Sequence, residues 1–586
     1  MKKRSKRLMS LLLAGSMAAF TLMGCGSQGS TESAGSTETS QSESTEAAEA
    51  SAIDTSEVDT YTVFLSGSAA AAFNWDNPVA EEITKRTGVR LQADIALEDP
   101  QQKIALMLAS GEYDDLILNC EGSMEAMLGA NAYVELDDLI DTYGPNIKDF
   151  YGDLYDRIRY TDGKIYGLGV GAGQTAALSP GFYYQVGYFL PNKTLQEQGY
   201  PEVKTLDEFE AVIRKDLEEN PTTEDGQKRY GLSLVTSDGF RFQFSIEQPA
   251  LLSNGYPLNG LYVVKDDMSG VELAYRQDFF KEYIRWYNKL YNDGLIDPES
   301  FTQNYDTYLA KVATGRVAGV IDGGWEFSSA NQELRDSSNG ELAYTGFPCT
   351  IKEGMTWLGD QPGDVAQNGG FSITTACKNP EKLINFFNFL ASEEGQILTE
   401  WGIEGVNYTI DSDGNRVRTA EDVAEEAKDA TAYALKTGVK LYTRDINEWM
   451  HQPYGYKTSN GQSLISDDLD AVDQAFTDTE REVLSQYGAK YHTDMFPNPL
   501  DLEVRPYGQC DSLTYGTDED VRVIKQRFDE SRLPHLAEAI MCAPDEFDSV
   551  WDAYMQEIDE MDVDKMVDSV NTAFKDRLQQ WNVSVN

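Results

Sequence analysis

The first foldable part of the chain alternates short apolar runs with segments of helical spacing. Runs rich in β-branched and aromatic residues cover 60–65, 89–95 and 115–118, and segments of helical spacing cover 77–85 and 100–109. This order of strands and helices predicts a parallel α/β sheet. In such sheets a ligand lies beyond the carboxyl ends of the strands. We therefore expect binding residues in the loops that follow Leu65 and Leu118.

A second region repeats this mixture of strands and helices. Apolar residues recur there at helical spacing, and one segment is apolar nearly all round, which predicts a buried helix. The predicted elements are a strand at 181–190, a helix capped by Thr205, a helix whose apolar face runs from Phe280 to Tyr291 before Asp293-Gly294, a buried helix at 381–390, and acidic helices near 546–560 and 562–580.

The N-terminal pattern predicts a segment that directs export and is not part of the folded domain. Five basic residues lie within the first seven positions, and an uncharged apolar run extends from Leu8 to Gly24. This layout is typical of a secretory signal peptide; a membrane anchor helix is the alternative, although a span usually needs about 20 apolar residues. Leu22-Met-Gly-Cys25 resembles the lipobox of bacterial lipoproteins, whose cysteine is acylated. Residues 26–57 carry seven acids and no Lys or Arg, which predicts a disordered tether.

Composition narrows the class of partner. The 98 acidic and 48 basic residues give a formal net charge of −50, which becomes −55 without the leader, because its five basic residues are not balanced by acids. So acidic a surface repels nucleic acid and anionic lipid. Five scattered cysteines besides Cys25 and only three histidines predict neither a disulfide framework nor a transition-metal site. We expect no cofactor.

Several phrases, in their order behind the lipobox and tether, resemble one family. They are GEYDDLIL with AYVELDDLI, YTDGKIYGLGVG, YFLPNKTLQEQG with KTLDEFEAV, VATGRVAGVIDGGWEF, GGFSITTACKNPEKLINFFNFLASEEGQIL, and EFDSVWDAYMQEIDEMDVDKMVDSVNTAFKDRL. Along nearly the whole mature chain, the sequence resembles the extracellular solute-binding proteins of ABC importers. Within them it is similar to the large carbohydrate-binding lipoproteins of Gram-positive bacteria, of the maltose-binding type.

The resemblance implies a fold and a division of the chain. The fold is α/β, of the two-lobed periplasmic-binding-protein type II, with hinge crossings and extra C-terminal helices. The implied divisions are a signal peptide at 1–24, a lipid-anchored tether at 25–57, a first lobe at 58–175 and 367–420, a second lobe at 176–366, and a helical remainder at 421–586 that packs mainly on the second lobe.

The resemblance also implies a function without catalysis. The two lobes would close on a carbohydrate, in particular an oligosaccharide, and the closed form would deliver it to ABC permease subunits. Acylated Cys25 would hold a monomer at the extracellular face of the cell membrane, because acyl chains bury many methylene groups in the bilayer.

Two tryptophans are candidate sugar contacts. Trp325 matches the family's sugar-stacking aromatic residue and follows two glycines at a strand end. An indole face packs well on the apolar C–H face of a sugar. Trp75, between Asn74 and Asp76, lies in the loop after the first strand. The alternative for Trp325 is a place in the core, and the alternative for Trp75 is packing against the next helix.

Polar candidates flank the strand ends and the crossings. Asn119 and Glu121 follow the third strand, where the maltose-binding type places ligand contacts, and loop capping is the alternative. Gln174 and Asn368 lie at the crossings. Their amides both donate and accept, as sugar hydroxyls do, or they bond hinge backbone instead.

Three further features have open interpretations. Arg241 either clamps a uronic acid carboxylate or pairs with an acid on the lobe surface. Tyr184 would extend the binding face for a longer oligosaccharide, as would Tyr183, Trp357 and Trp449, although most aromatic residues in such a chain belong to the core. The run Asp411-Ser-Asp-Gly-Asn415 begins like a calcium loop but departs from it at later positions, so we predict a hairpin turn, with a calcium site as the alternative.

Two other functions compete with the sugar receptor. A secreted lipoprotein glycosidase needs only two carboxylates, and 98 acids supply many candidates. Against it, no G-x-S-x-G, P-loop or H-E-x-x-H motif is present. A peptide-binding importer receptor is the other alternative, but DGKIYG and DGGWEF favour the carbohydrate group.

Overall fold

The computed structural model describes most of the chain that follows the tether. The described residues are 53–67, 73–96, 100–120, 122–160, 162–168, 186–236, 241–258, 260–359, 361, 370–426, 428–442, 450–452, 455–465, 472–473, 476–508, 513 and 518–584.

The first lobe is built on a four-stranded sheet whose strands are, in order across the sheet, β2 (Val89–Ala96), β1 (Asp59–Ser66), β3 (Leu116–Leu118) and β9 (Phe371–Ile373). The strands β2 and β3 pair in parallel with β1, as predicted, and β9 pairs antiparallel with β3. Its elements are β1 (Asp59–Ser66), α1 (Pro78–Thr87), β2 (Val89–Ala96), α2 (Pro100–Ser110), β3 (Leu116–Leu118), α3 (Ser123–Gly129), α4 (Asp137–Tyr143), α5 (Pro145–Tyr151), a 3-10 helix (Gly152–Ile158), β9 (Phe371–Ile373), α12 (Pro380–Ala391), α13 (Glu393–Trp401), β10 (Tyr408–Ile410), β11 (Arg416–Arg418), α14 (Ala420–Glu426) and α15 (Ala430–Thr437).

Local sequence explains the ends of helix α1. Asn77 caps it by accepting a hydrogen bond from the backbone N–H of Ala80, and Pro78 occupies the first turn, where a missing N–H costs nothing. Gly88 ends it with a φ of 68°, and a side chain there would meet the carbonyl oxygen of Glu57 at 2.7 Å. Helix α12 buries most of its length, which confirms the predicted apolar helix.

The second lobe is built on an antiparallel sheet of order β7-β4-β8. Thr205 and Glu208 form a capping box at the start of α7, which confirms the predicted cap. The elements are β4 (Val186–Pro191), α6 (Asn192–Glu197), α7 (Leu206–Glu219), a π-helical turn (Gln243–Glu247), α8 (Gln248–Ser253), β5 (Tyr262–Val264), β6 (Val271–Leu273), a 3-10 turn (Ala274–Arg276), α9 (Asp278–Asn292), a 3-10 turn (Pro298–Phe301), α10 (Tyr305–Ala313), β7 (Val320–Gly323), α11 (Ser328–Ser338) and β8 (Tyr344–Phe347).

The C-terminal region is helical, and most of it packs on the second lobe. The side chains of that core come from Val186–Trp357 and again from Val483–Leu578. The elements are α16 (Asp478–Gln486), two 3-10 turns (His492–Met495 and Pro499–Asp501), α17 (Glu519–Met541), α18 (Phe547–Glu560) and α19 (Val563–Gln580). The last two confirm the predicted acidic helices, whereas α17 was not predicted.

One predicted boundary needs correction. The segment after residue 420 was assigned to the helical remainder on the second lobe, but Tyr433, Leu441 and Met450 lie in the core of the first lobe. Their burial against the helix that contains Phe386 extends the first lobe about as far as Met450. The lobe boundary therefore lies beyond 420.

The helix α19 also touches the first lobe. Gln580 Nε2 donates to the carbonyl oxygen of Tyr160 (3.2 Å). Two guanidinium groups lie over the Trp581 ring. The guanidinium carbon of Arg157 is 4.7 Å from the ring centroid, and that of Arg577 is 5.2 Å from it. The contacts with Tyr160 and Arg157 therefore join the C-terminal end of α19 to the first lobe.

Two negative findings concern the described residues alone. Among them, no helix combines the length and the apolar character that crossing a membrane requires. The cysteines that fall within the described ranges, Cys120, Cys349, Cys377 and Cys542, are all free thiols.

Candidate ligand-binding site

Trp325 lies just beyond the carboxyl end of β7 and keeps an exposed ring. The strand ends at Gly323, and α11 begins at Ser328. About 36% of Trp325 is exposed, which is unusual for so large an apolar side chain. Phe244 meets the indole edge-on, with the ring centroids 5.1 Å apart and the ring planes at 83°. One part of the indole is therefore supported from within the lobe while the rest faces solvent.

Gly323 gives the indole its position. A Cβ atom at this residue would lie 2.6 Å from two carbons of the Trp325 ring. Side-chain atoms do not approach so closely, so only glycine lets the ring lie against the end of the strand. The first glycine of the DGG sequence, Gly323, is therefore needed for steric reasons.

Glu326 links the tryptophan to Arg241. Its Oε1 accepts a hydrogen bond from Trp325 Nε1 (3.1 Å), and its Oε2 accepts one from Arg241 Nε (2.9 Å). The carboxylate is buried, with 7% of the side chain exposed, whereas 30% of the Arg241 side chain is exposed. Charge-assisted hydrogen bonds of this kind hold both partners in fixed positions.

Tyr305 completes the support of Arg241. The guanidinium carbon lies 3.9 Å from the centroid of the Tyr305 ring, a cation–π distance. The Tyr305 hydroxyl also donates to the backbone carbonyl of Glu326. One tyrosine thus fixes both members of the ion pair.

Asp322 lies beneath this network and is buried. Its carboxylate accepts hydrogen bonds from the Tyr308 hydroxyl (2.9 Å) and from the backbone N–H of Gly323 (2.8 Å). Burial raises the pKa of Asp322 to about 8, and the negative charge of Glu326 adds to this effect, although the hydrogen bonds and Arg241 oppose it. The folded protein therefore holds the Asp322 proton more tightly than an exposed aspartate would.

The arrangement is suited to binding a polyhydroxylated ligand. An exposed indole offers a flat apolar face, and the partly exposed guanidinium of Arg241 beside it is a group that donates to hydroxyls. The groups are held by contacts with the lobe itself, so little ordering is needed on binding.

Arg241 has a partner that neither sequence interpretation named. It forms an ion pair, but with the buried Glu326 beside the candidate site rather than with an acid on the lobe surface. Sequence reasoning did not single out Glu326, Tyr305 or Phe244, although Glu326 is the direct neighbour of Trp325.

Trp75 is placed in the core instead of on a binding face. Only 4% of it is exposed, and its Nε1 donates to the Thr84 hydroxyl (3.1 Å) on helix α1. Its ring contacts Phe386 and Tyr442, with centroid distances of 6.2 and 5.5 Å. This placement corrects the predicted sugar contact: the packing alternative accounts for Trp75 because the ring has no free face.

Asn119 ties strand β3 to strand β9. Its Nδ2 donates to the Ser372 hydroxyl (2.8 Å) and the Gly370 carbonyl (3.2 Å). Its Oδ1 accepts from the hydroxyls of Tyr133 (2.6 Å) and Ser123 (3.2 Å). The amide is fully engaged within the lobe, so the expected role in ligand binding has no free donor or acceptor to support it in this conformation.

The remaining predicted positions divide into two groups. Trp357 is buried, and the Asp411 segment forms the turn of the antiparallel hairpin β10–β11, as predicted. No cluster of metal-binding side chains occurs among the residues that the structure describes. Predicted positions outside the described residues are Cys25, Glu121, Gln174, Tyr183, Tyr184, Asn368 and Trp449.

The fold and this site together define a class of protein. Two α/β lobes formed by a chain that passes between them, with an exposed aromatic side chain at a strand end, are typical of two-lobed ligand-binding proteins. The family model of the bacterial extracellular solute-binding proteins matches residues 78–405, more than half of the chain. The chain belongs to this family, which confirms the resemblance seen in the sequence and its assignment to binding proteins rather than to enzymes.

Two curated relatives are similar over part of the chain. It is 24% identical over 247 residues to the fructooligosaccharide ABC transporter substrate-binding protein FusA of Streptococcus pneumoniae serotype 4, which covers 40% of this chain and 44% of FusA. It is 24% identical over 236 residues to the lipoprotein LipO of Bacillus subtilis strain 168, which covers 37% of this chain and 42% of LipO. Each alignment thus spans less than half of the relative's length.

Solved structures match over far more of the chain. An HMO-binding, ABC-transporter-associated solute-binding protein from Bifidobacterium longum infantis gives a TM-score of 0.64 at 16% identity, covering 89% of this chain and 99% of that one. The alginate-binding protein AlgQ2 gives 0.59 at 19% identity, covering 89% and 98%. FusA in complex with kestose gives 0.59 at 18% identity, covering 88% and 99%. Similarity at these identities confirms the predicted two-lobed α/β fold.

Proposed function

We propose that this protein is the receptor of an ABC importer, that it binds an oligosaccharide between its two lobes, and that it delivers this ligand to permease subunits. The observation that carries the proposal is the exposed Trp325 ring at the end of β7, held by Phe244 and Glu326. An exposed aromatic side chain with a rigid polar rim suits the alternating apolar and hydroxyl faces of a sugar.

The names of the related proteins support the same class of ligand. FusA is named for fructooligosaccharides and AlgQ2 for alginate. Both names refer to chains of sugars, and FusA is named as part of an ABC transporter.

We also propose that acylated Cys25 attaches the protein to the extracellular face of the membrane. The basic, apolar and Leu-Met-Gly-Cys sequence supports this, as does the lipoprotein name of LipO. Replacement of Cys25 by Ser should release the protein or leave an unprocessed precursor. Normal acylated, membrane-bound protein from that variant would contradict the proposed anchor.

A thermal-shift panel of neutral and acidic oligosaccharides tests the proposed function. Binding to the folded state alone raises the melting temperature, so a true ligand should stabilise the protein without being consumed. Chromatography of the same mixtures distinguishes the glycosidase alternative, which requires products. The stabilising sugar should also reduce the radius of gyration in solution scattering, because the lobes close on it. No stabilisation by any oligosaccharide, or stabilisation by peptides alone, would overturn the proposal.

A further inference from the structure

The guanidinium of Arg241 is paired with the carboxylate that also contacts the exposed indole. Arg241 Nε donates to Glu326 Oε2 at 2.9 Å, while Glu326 Oε1 accepts from Trp325 Nε1 at 3.1 Å. The carboxylate therefore bridges the aromatic face and the guanidinium. A cation in such a pair has little net attraction left for another anion.

Arg241 is also restrained from turning toward a ligand. Its guanidinium stacks on Tyr305 at 3.9 Å, and the Tyr305 hydroxyl bonds the backbone of Glu326. If Arg241 moved to a new anion, Glu326 would remain buried, with 7% of its side chain exposed and its charge unmatched. Leaving a buried charge without its partner is strongly unfavourable.

No other described group in the network supplies positive charge. Among these described residues, Glu326 pairs with Arg241, and Asp322, Tyr308, Tyr305 and Phe244 carry no positive charge. The chain as a whole carries a formal charge of −50, which disfavours a ligand carboxylate at longer range.

We propose that this site selects uncharged sugar rings, and that Glu326 determines this specificity by holding Arg241 away from a ligand carboxylate. The inference rests on the proposed function and names the chemical class of its ligand. The fold leaves this class open, because proteins with the same fold are named for fructooligosaccharides and for alginate, a polyuronate. Glu326 therefore influences which ligand binds in two ways: it forms the ion pair with Arg241, and it accepts the hydrogen bond that orients Trp325.

The test uses one sugar in two charge states. The probe is the neutral oligosaccharide found by the panel, together with the same oligosaccharide oxidised to a carboxylate at C6, and calorimetry measures both affinities. In the parent protein, the oxidised sugar should bind at least tenfold more weakly. In Glu326→Gln, which keeps an acceptor for Trp325 Nε1 but removes the carboxylate charge from beside Arg241, that deficit should shrink by about tenfold. In Arg241→Gln/Glu326→Gln, the deficit should return.

Each outcome decides the matter. Equal or tighter binding of the oxidised sugar by the parent protein overturns the inference while leaving the proposed function intact, and so does an unchanged ratio in a folded Glu326→Gln. If Glu326→Gln does not fold, the ratio in the parent protein alone still decides. Failure of every oligosaccharide to bind the parent would instead remove the proposed function and this inference with it.

Discussion

The strand ends of the two lobes carry similar residues that the fold uses in different ways. Trp75 follows β1 in the first lobe and Trp325 follows β7 in the second, each beside polar neighbours. Trp75 is 4% exposed and Trp325 is 36% exposed. The indole N–H of Trp75 donates to the Thr84 hydroxyl on the next helix of the same lobe. The indole N–H of Trp325 donates to the carboxylate of the adjacent residue, Glu326.

Local sequence explains much of this difference. Asn77 starts helix α1 only two residues after Trp75, so the ring folds back onto that helix and reaches Thr84. Gly323 instead clears the space at the end of β7, and the indole lies along the strand end with one part uncovered. A tryptophan at a strand end is therefore a binding candidate only when the following residues leave it a free face.

The largest expected effect is on the stability of the first lobe. Replacing Trp75 by Ala should cost ~3–5 kcal/mol of unfolding free energy, because it removes a buried ring from contact with Phe386 and Tyr442. Urea unfolding gives this value, and sugar affinity should stay near that of the parent where the variant is folded. A stable variant with lost affinity would place Trp75 on the ligand after all.

A smaller effect is expected from moving the other indole. In Gly323→Ala, the new methyl group would start 2.6 Å from the Trp325 ring and displace it. We expect about tenfold weaker sugar binding, which is about 1.4 kcal/mol, measured by calorimetry. Gly319→Ala is the matched control, because its methyl group would press on Ile213 and Phe209 in the core. That control should lose stability and keep affinity; the reverse pattern would refute the role of Gly323.

A third expected effect concerns the pH dependence of stability. Because the pKa of Asp322 is raised to about 8 in the folded protein, the folded state binds this proton more tightly than the unfolded state does. Stability from Asp322 is thus complete below its unfolded pKa and is lost as pH rises toward 8. Asp322→Asn, which resembles the protonated acid, should lessen the loss of stability between pH 6 and 8 by up to ~1.4 kcal/mol per pH unit. Equal pH slopes for parent and variant would contradict the raised pKa.

Local patterns predicted the elements of the first lobe well. The strand expected at 60–65 is Asp59–Ser66, and the helix expected at 77–85 is Pro78–Thr87, because periodic burial, a cap and a proline are all encoded nearby. Helix α17 escaped prediction because its support is distant. It contains Pro534, and Asn288 Nδ2 from helix α9 donates to the carbonyls of Ala539 (3.0 Å) and Ile540 (3.1 Å) near its end.

The candidate site was predictable only in part, for the same reason. Trp325 could be singled out from DGGWEF. Arg241, which forms an ion pair with the neighbouring Glu326, lies 85 residues from Glu326 in the sequence. Likewise, the Asn119 amide is engaged by Ser372, which is 253 residues away. A side chain's freedom to bind a ligand depends on such distant partners, so residue type and position at a strand end were insufficient.

The central claim is that Trp325 contacts the sugar, and Trp325→Ala tests it most directly. Truncating an exposed aromatic anchor should weaken sugar binding by ~2–4 kcal/mol, about thirty- to a thousand-fold, as measured by calorimetry. Because the ring is already 36% exposed, the loss of unfolding free energy should be smaller than for Trp75→Ala, about 1–2 kcal/mol. A Trp325→Ala protein that melts far below the parent but binds the sugar equally well would contradict the account.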